Sequence, residues 1–223
     1  MGGMASVHLA RLVAEGGFAR TVAIKRLLPQ LAKDPEFSSM FMQEAQLAAR
    51  IRHPNVVPTL DVVATDEELF LVMEYVHGES LAQLSRLASK AGEVMPRAVL
   101  SSVLSSALQG LHAAHEATNE RGEPLGLVHR DVSPQNVLVD VDGVTRVIDF
   151  GVAKAASSGH STRAGQVKGK IKYMAPEQVL GTLMTRRTDV FAAGIILWEG
   201  LTGKRLFEGD QEAAILHAVL NRE

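Results

Sequence analysis

Residues 129–151 constrain this chain more than any other stretch: His-Arg-Asp-Val-Ser-Pro-Gln-Asn-Val-Leu-Val-Asp-Val-Asp-Gly-Val-Thr-Arg-Val-Ile-Asp-Phe-Gly. Asp131, Asn136 and Asp149 are the polar side chains here that could do chemistry. Two β-branched runs, 137–139 and 144–148, flank Asp142-Gly143, a strong hairpin-turn signal. A hairpin of that kind brings Asn136 and Asp149 together at its open end. An amide oxygen and a carboxylate are both hard ligands, which suits Mg²⁺. Asp131, one tight loop earlier, is then left to orient and deprotonate a hydroxyl.

Composition narrows the setting. A length of 223 residues allows one or two domains with a sizeable core. The net charge of −2 carries no basic nucleic-acid footprint. The absence of cysteine excludes disulfides and thiolate metal sites, and fits a reducing cytoplasm. No apolar run has the length of a membrane span and no signal-peptide pattern is expected; the most apolar stretch, 190–198, reads as a buried helix.

Periodicity supplies the remaining elements. Residues 21–25, Thr-Val-Ala-Ile-Lys, read as a strand ending in Lys25. A helix is expected over 37–51, with Phe41, Ala45, Ala48 and Ala49 apolar and Glu44 at its middle, ended by His53-Pro54. Residues 68–76 form an apolar strand, and a short helix is expected from Gly78 to Leu87 with Ser80 as N-cap. Pro96 opens a long amphipathic helix through about residue 116, followed by a polar loop at 118–126. Residues 152–172 form a loop rich in Ser, Gly and Lys. Residues 189–201 read as a helix apolar on nearly every side, with Gly203 as its stop. A last amphipathic helix is expected over 210–220.

Taken in order, these segments resemble the protein kinase family over almost the whole chain. The carriers are His129-Arg130-Asp131 with Asn136, Asp149-Phe150-Gly151, Val22-Ala23-Ile24-Lys25, and Tyr173-Met174-Ala175-Pro176-Glu177. A partial Gly-rich loop, Gly2-Gly3-Met4-Ala5-Ser6-Val7, adds to them; Ala5 stands where the family has its third glycine. The resemblance implies an α+β, two-lobed kinase-like fold. The N-lobe, a small sheet plus a helix without the family's first strand, would span 1–76. The mainly helical C-lobe, without the family's last helices, would span 77–223.

The same resemblance assigns roles. Gly2, Gly3, Val7, Ala23, Lys25, Met73, Leu138 and the backbone of Glu74 and Val76 would bind ATP. Glu44 would hold Lys25, Asn136 and Asp149 would hold Mg²⁺, and Asp131 would orient the acceptor hydroxyl. Asp189 matches the buried aspartate that caps the catalytic-loop backbone. Ser157, Ser158, Ser161 and Thr162 are activation-loop phosphorylation candidates, with Arg130 as the docking cation. The Ser133-Pro134-Gln135-Asn136 loop and the Tyr-Met-Ala-Pro-Glu-Gln run look like bacterial serine/threonine kinases, whose partners are ATP and Ser/Thr-bearing proteins. The alternative is a catalytically weak kinase-like regulatory or binding module, for which apolar surface left uncovered would favour self-association. Two departures form a pair. The family's lysine two residues after the catalytic Asp is Ser133 here, and the family's threonine ahead of Ala-Pro-Glu is Lys170. The two positions are expected to have exchanged roles at the γ-phosphate. Glu177 is expected to lack the arginine that the family pairs with it.

Overall fold

The structure, a computed structural model, describes residues 5–14, 16–65, 68–150 and 171–221. Four antiparallel strands come first: β1 (Ala5–Val13), β2 (Ala19–Leu27), β3 (Thr59–Ala64) and β4 (Leu69–Glu74), in the sheet order β1-β2-β4-β3. Between β2 and β3 lie a single-turn helix α1 (Pro29–Ala32) and the longer α2 (Pro35–Ala48). Asp34 starts α2 by accepting the Glu36 N–H at 3.0 Å, and Pro35 occupies the first turn, where its missing N–H costs nothing. Phe41 and Ala45 then pack against Leu27, Leu69 and Leu71 of the sheet. The helix ends at Ala48 instead of the expected residue 51. Its last turn tightens into i+3 bonds, Arg50 N to Leu47 O and Ile51 N to Ala48 O, before Pro54 turns the chain away.

A second sheet, in the order β5-β6-β7, joins β5 (Gly78–Ser80), β6 (Val137–Asp140) and β7 (Thr145–Val147). The helix expected from Gly78 therefore begins later, as α3 (Leu81–Lys90). Residues 78–80 pair with β6 first, and a Cβ at Gly78 would stand 2.1 Å from the Val139 carbonyl oxygen. Ser80 does cap α3, accepting the Gln83 N–H at 3.2 Å.

The rest is helical: α4 (Arg97–His115), a 3₁₀ turn at Pro134–Asn136, α5 (Pro176–Val179), α6 (Arg186–Thr202) and α7 (Glu212–Asn221). Leu100, Val103, Leu104, Ala107 and Leu111 of α4 form one core with Ala192, Ile195 and Ile196 of α6 and with Val137 and Val147 of the hairpin. The expectation that α6 is buried on nearly all sides is corrected. Val190, Leu197 and Leu201 form an exposed stripe at 56%, 40% and 43% accessibility. Gly203 ends α6 in the left-handed region at φ 68°, returning its N–H to the Glu199 carbonyl at 2.9 Å. Among the described residues no helix is long and apolar enough to cross a membrane. A small sheet with one packed helix, followed by a helical remainder, is the two-part α+β arrangement expected above.

Candidate active site

The hairpin forms as the Asp142-Gly143 signal requires. Val137 pairs with Val147, Gly143 adopts φ 83°, and the Ile148 N–H reaches the Asn136 carbonyl at 3.0 Å. Asn136 and the residue before Asp149 are thereby tied together at the open end. The Asn136 side chain is buried and donates through Nδ2 to the Asp131 carbonyl at 2.8 Å and to Asp131 Oδ2 at 3.0 Å. Both partners are acceptors, so the amide is fixed with its Oδ1 left over as a ligand. Asp149 accepts from Lys25 Nζ at 2.9 Å through Oδ1, a pair whose side chains are 31% and 15% accessible.

Lys25 comes from β2, and cross-strand register shows what shares its face. Val7 lies opposite Lys25 and Met73 opposite Ala23, so these four residues stand on one side of the sheet. Met73 also lines a small cavity with Ala48, Val57, Ile148, Asp149 and Phe150. At the end of β4 the Glu74 N–H is spent on the Pro58 carbonyl at 3.0 Å, while the Val76 amide has no backbone partner among the described residues. Leu138 lies on β6 opposite Ser80 and Arg146. The expectations for Gly2, Gly3, Ser157, Ser158, Ser161, Thr162, Lys170 and the Glu44 side chain lie outside what the structure describes.

Behind these groups stands a buried polar frame. Asp189, 1% accessible, accepts the His129 N–H at 2.8 Å, the Arg130 N–H at 2.9 Å and His115 Nε2 at 2.7 Å. His129 is fully buried. Its Nε2 faces the Ile148 carbonyl at 2.9 Å and its Nδ1 faces the Asp131 N–H at 3.2 Å, which only the neutral Nε2–H tautomer satisfies. Burial pushes the His129 pKa below its ordinary 6.5, against the raising pull of Asp189, Asp131, the Ile148 carbonyl and Asp149. Phe150 packs on the His129 ring, with centroids 4.7 Å apart.

Backbone strain concentrates at the same place. Among the described residues the non-glycine positions with positive φ are Arg130 at 63° and Asp149 at 59°. Such conformations persist only where surroundings over-determine them, and they cluster at functional sites. Ser133 is 1% accessible with an Oγ that has no hydrogen-bond partner among the described residues, and Arg130 Nε is likewise buried and unpartnered. Glu177 Oε1 accepts from Thr188 Oγ1 at 2.7 Å, so a hydroxyl rather than an arginine is its partner among the described residues.

The donor set fits a divalent cation that a bound phosphate helps to hold. Mg²⁺ takes only one or two protein oxygens when substrate phosphates complete its octahedron. Asn136 Oδ1 and the Asp149 carboxylate supply that number. Among the described residues there is no larger cluster of His, Asp or Glu that would hold a metal without substrate.

Three features leave no readable mark in the sequence. His115 supports Asp189, and Asn55 ties residues 53–57 to the hairpin, donating Nδ2 to the Thr145 carbonyl at 2.7 Å and accepting the Val147 N–H at 2.8 Å. Gln178 bridges the Ala175 N–H and the Arg130 carbonyl. His115 follows a helical apolar stripe and Asn55 follows a proline, so each reads as a boundary residue. Gln178 closes the Tyr-Met-Ala-Pro-Glu-Gln run, but that run carries only the resemblance and not the contact with Arg130.

This geometry is that of the protein kinase class, and the comparisons agree: the protein kinase domain model matches residues 1–222. The chain belongs to the protein kinase domain family. It is 46% identical over all of its length to the tyrosine-protein kinase MasK of Myxococcus xanthus, covering 34% of that protein. It is 37% identical over 96% of its length to the serine/threonine-protein kinase PrkC of Bacillus subtilis, covering 31% of it. With the serine/threonine-protein kinase PknB of Mycobacterium tuberculosis the identity is 36% over 97% of this chain and 33% of the relative. The chain thus spans about a third of the length of the curated relatives it matches.

Proposed function

We propose that this chain transfers the γ-phosphoryl group of ATP to Ser or Thr hydroxyls of proteins, its own residues Ser157, Ser158, Ser161 and Thr162 among them. The observation that carries this reading is the convergence of Asp131, Asn136 and the Lys25–Asp149 pair around the open end of one hairpin. In the reaction the acceptor oxygen forms a bond to the γ-phosphorus as the bond to the β,γ-bridging oxygen breaks. ADP leaves with that electron pair, and the hydroxyl proton goes to Asp131. Asp131, held by the Asn136 amide, aligns the acceptor, and Lys25 holds the α- and β-phosphates. A Mg²⁺ on Asn136 and Asp149 would neutralise phosphate charge that builds up in transfer. Val7, Ala23, Met73, Leu138 and the backbone of Glu74 and Val76 would enclose the adenine.

The Ser133-Pro134-Gln135-Asn136 loop and the two serine/threonine kinase relatives support a Ser/Thr acceptor. The name of the Myxococcus relative favours a second reading, a tyrosine acceptor. Labelled phosphate from Mg²⁺-ATP followed by phosphoamino-acid analysis separates them. Phosphoserine or phosphothreonine is expected, and phosphotyrosine alone would replace the first reading with the second. Asp131→Asn should abolish transfer while leaving ATP affinity intact. Asp149→Asn should weaken Mg²⁺-dependent ATP binding by calorimetry. Substantial transfer by Asp131→Asn would overturn the assignment.

A further inference from the structure

We propose that Gln178 is a positioning residue that sets the plane of the Arg130–Asp131 peptide and so couples the end of the activation segment to the catalytic aspartate. This rests on the reading of Asp131 given above. Gln178 is the third residue of α5, and its one amide does two things. Its Oε1 accepts the Ala175 N–H at 3.0 Å, and its Nε2 donates to the Arg130 carbonyl at 2.9 Å.

That carbonyl belongs to the same planar unit as the Asp131 N–H. Arg130 is strained at φ 63°, and its peptide planes must be held. Two bonds do so from the interior: Asp189 takes the N–H of Arg130, and His129 Nδ1 takes the N–H of Asp131. Both act on N–H groups. The oxygen side of the Arg130–Asp131 peptide is held by Gln178, which arrives from residues 171–179. Rotation of that plane would swing the Asp131 Cα–Cβ bond, and with it the carboxylate that Asn136 grips at 3.0 Å. Gln178 is therefore the contact by which the Ala-Pro-Glu segment sets the aim of Asp131.

Two substitutions separate the halves of the amide. Gln178→Glu keeps an acceptor for the Ala175 N–H but removes the donor to Arg130. Gln178→Lys keeps a donor but removes the acceptor. With an acceptor peptide on which the parent chain turns over, Gln178→Glu should lower kcat about tenfold, the equivalent of about 1.4 kcal/mol. Its KM for ATP should stay near that of the parent, and because a carboxylate oxygen then faces the Arg130 carbonyl, kcat should fall by more than the accompanying loss of Tm explains. Gln178→Lys should show the reverse, a lower Tm with most of kcat kept. Parent-like kcat in Gln178→Glu, or losses in both variants that simply follow Tm, would overturn the proposal. Asp131→Asn, assayed beside them, tests the underlying reading separately: transfer by that variant would remove the base, whereas its inactivity together with a fully active Gln178→Glu would remove only the coupling.

Discussion

One residue, Asp189, shows how a single carboxylate organises a site it does not touch. Its two oxygens serve the N–H groups of His129 and Arg130 and the ring of His115. An amide has one oxygen, and its NH₂ would be turned toward an N–H donor. Asp189→Asn should therefore cost about 3 kcal/mol, as expected for a buried charged acceptor losing bonds. A lower urea midpoint at unchanged m value is the expected result. Ser133 poses the opposite problem, a buried hydroxyl with nothing to bond among the described residues. In kinases this position carries a lysine, and this chain has a lysine at 170 in place of the family's threonine. The proposed exchange of roles predicts that Lys170→Thr loses much of kcat and that adding Ser133→Lys restores a good part of it. The charge involved justifies the size of effect: two unit charges about 4 Å apart interact by about 4 kcal/mol at an effective dielectric of about 20. Additive losses in a double-mutant cycle on phosphoryl transfer would separate the two positions.

At the scale of elements, the contact that fixes residues 53–57 and the hairpin over the helical part runs through α4. A Cβ at Gly110 would stand 2.4 Å from the Asn55 carbonyl oxygen, which already accepts the Val147 N–H. Gly194, in the middle of α6, has open space within 4 Å of the point where a Cβ would sit. Both are helical, so alanine gains roughly 1 kcal/mol of propensity at either site. Gly110→Ala should nonetheless destabilise by about 1–3 kcal/mol, because the clash is with backbone, while Gly194→Ala should stabilise. Thermal melts of the two variants should move in opposite directions. This pair also marks what the sequence can reveal. Hairpin 137–147, the cap at Ser80 and the stop at Gly203 are local, and their residues announce them. The stretch 78–80 misleads because its strand exists only by pairing with β6, far along the chain. The grip of Asn55 on the hairpin and of Gln178 on Arg130 is equally non-local, and neither leaves a periodic trace. The exposed stripe on α6 escapes a sequence reading because hydrophobicity reports the residues and not what covers them.

For the molecule as a whole, the buried frame makes stability depend on acidity. His129 lies inside the helical part, held neutral by donating to the Ile148 carbonyl and accepting from the Asp131 N–H. Its folded pKa is lowered by desolvation, although Asp189, Asp131 and Asp149 pull the other way. In the unfolded chain the same imidazole titrates near its ordinary 6.5. Below that pH the unfolded state binds the proton and the folded state does not, so the slope of unfolding free energy with pH is positive. The contribution of His129 is thus complete above about 6.5, and it is lost as pH falls from there toward the depressed folded value. Protonation would also abolish the Nδ1 acceptor for the Asp131 N–H, so the cost falls on the loop that carries the proposed base. Two measurements check this. Imidazole nitrogen shifts should keep His129 in the Nε2–H form below about pH 6.5. Calorimetric unfolding near about pH 6, in buffers of different ionisation enthalpy, should show net proton uptake. A folded-state His129 that titrates at its ordinary pH would remove the imidazole from this balance, and any acid sensitivity of the domain would then come from its carboxylates.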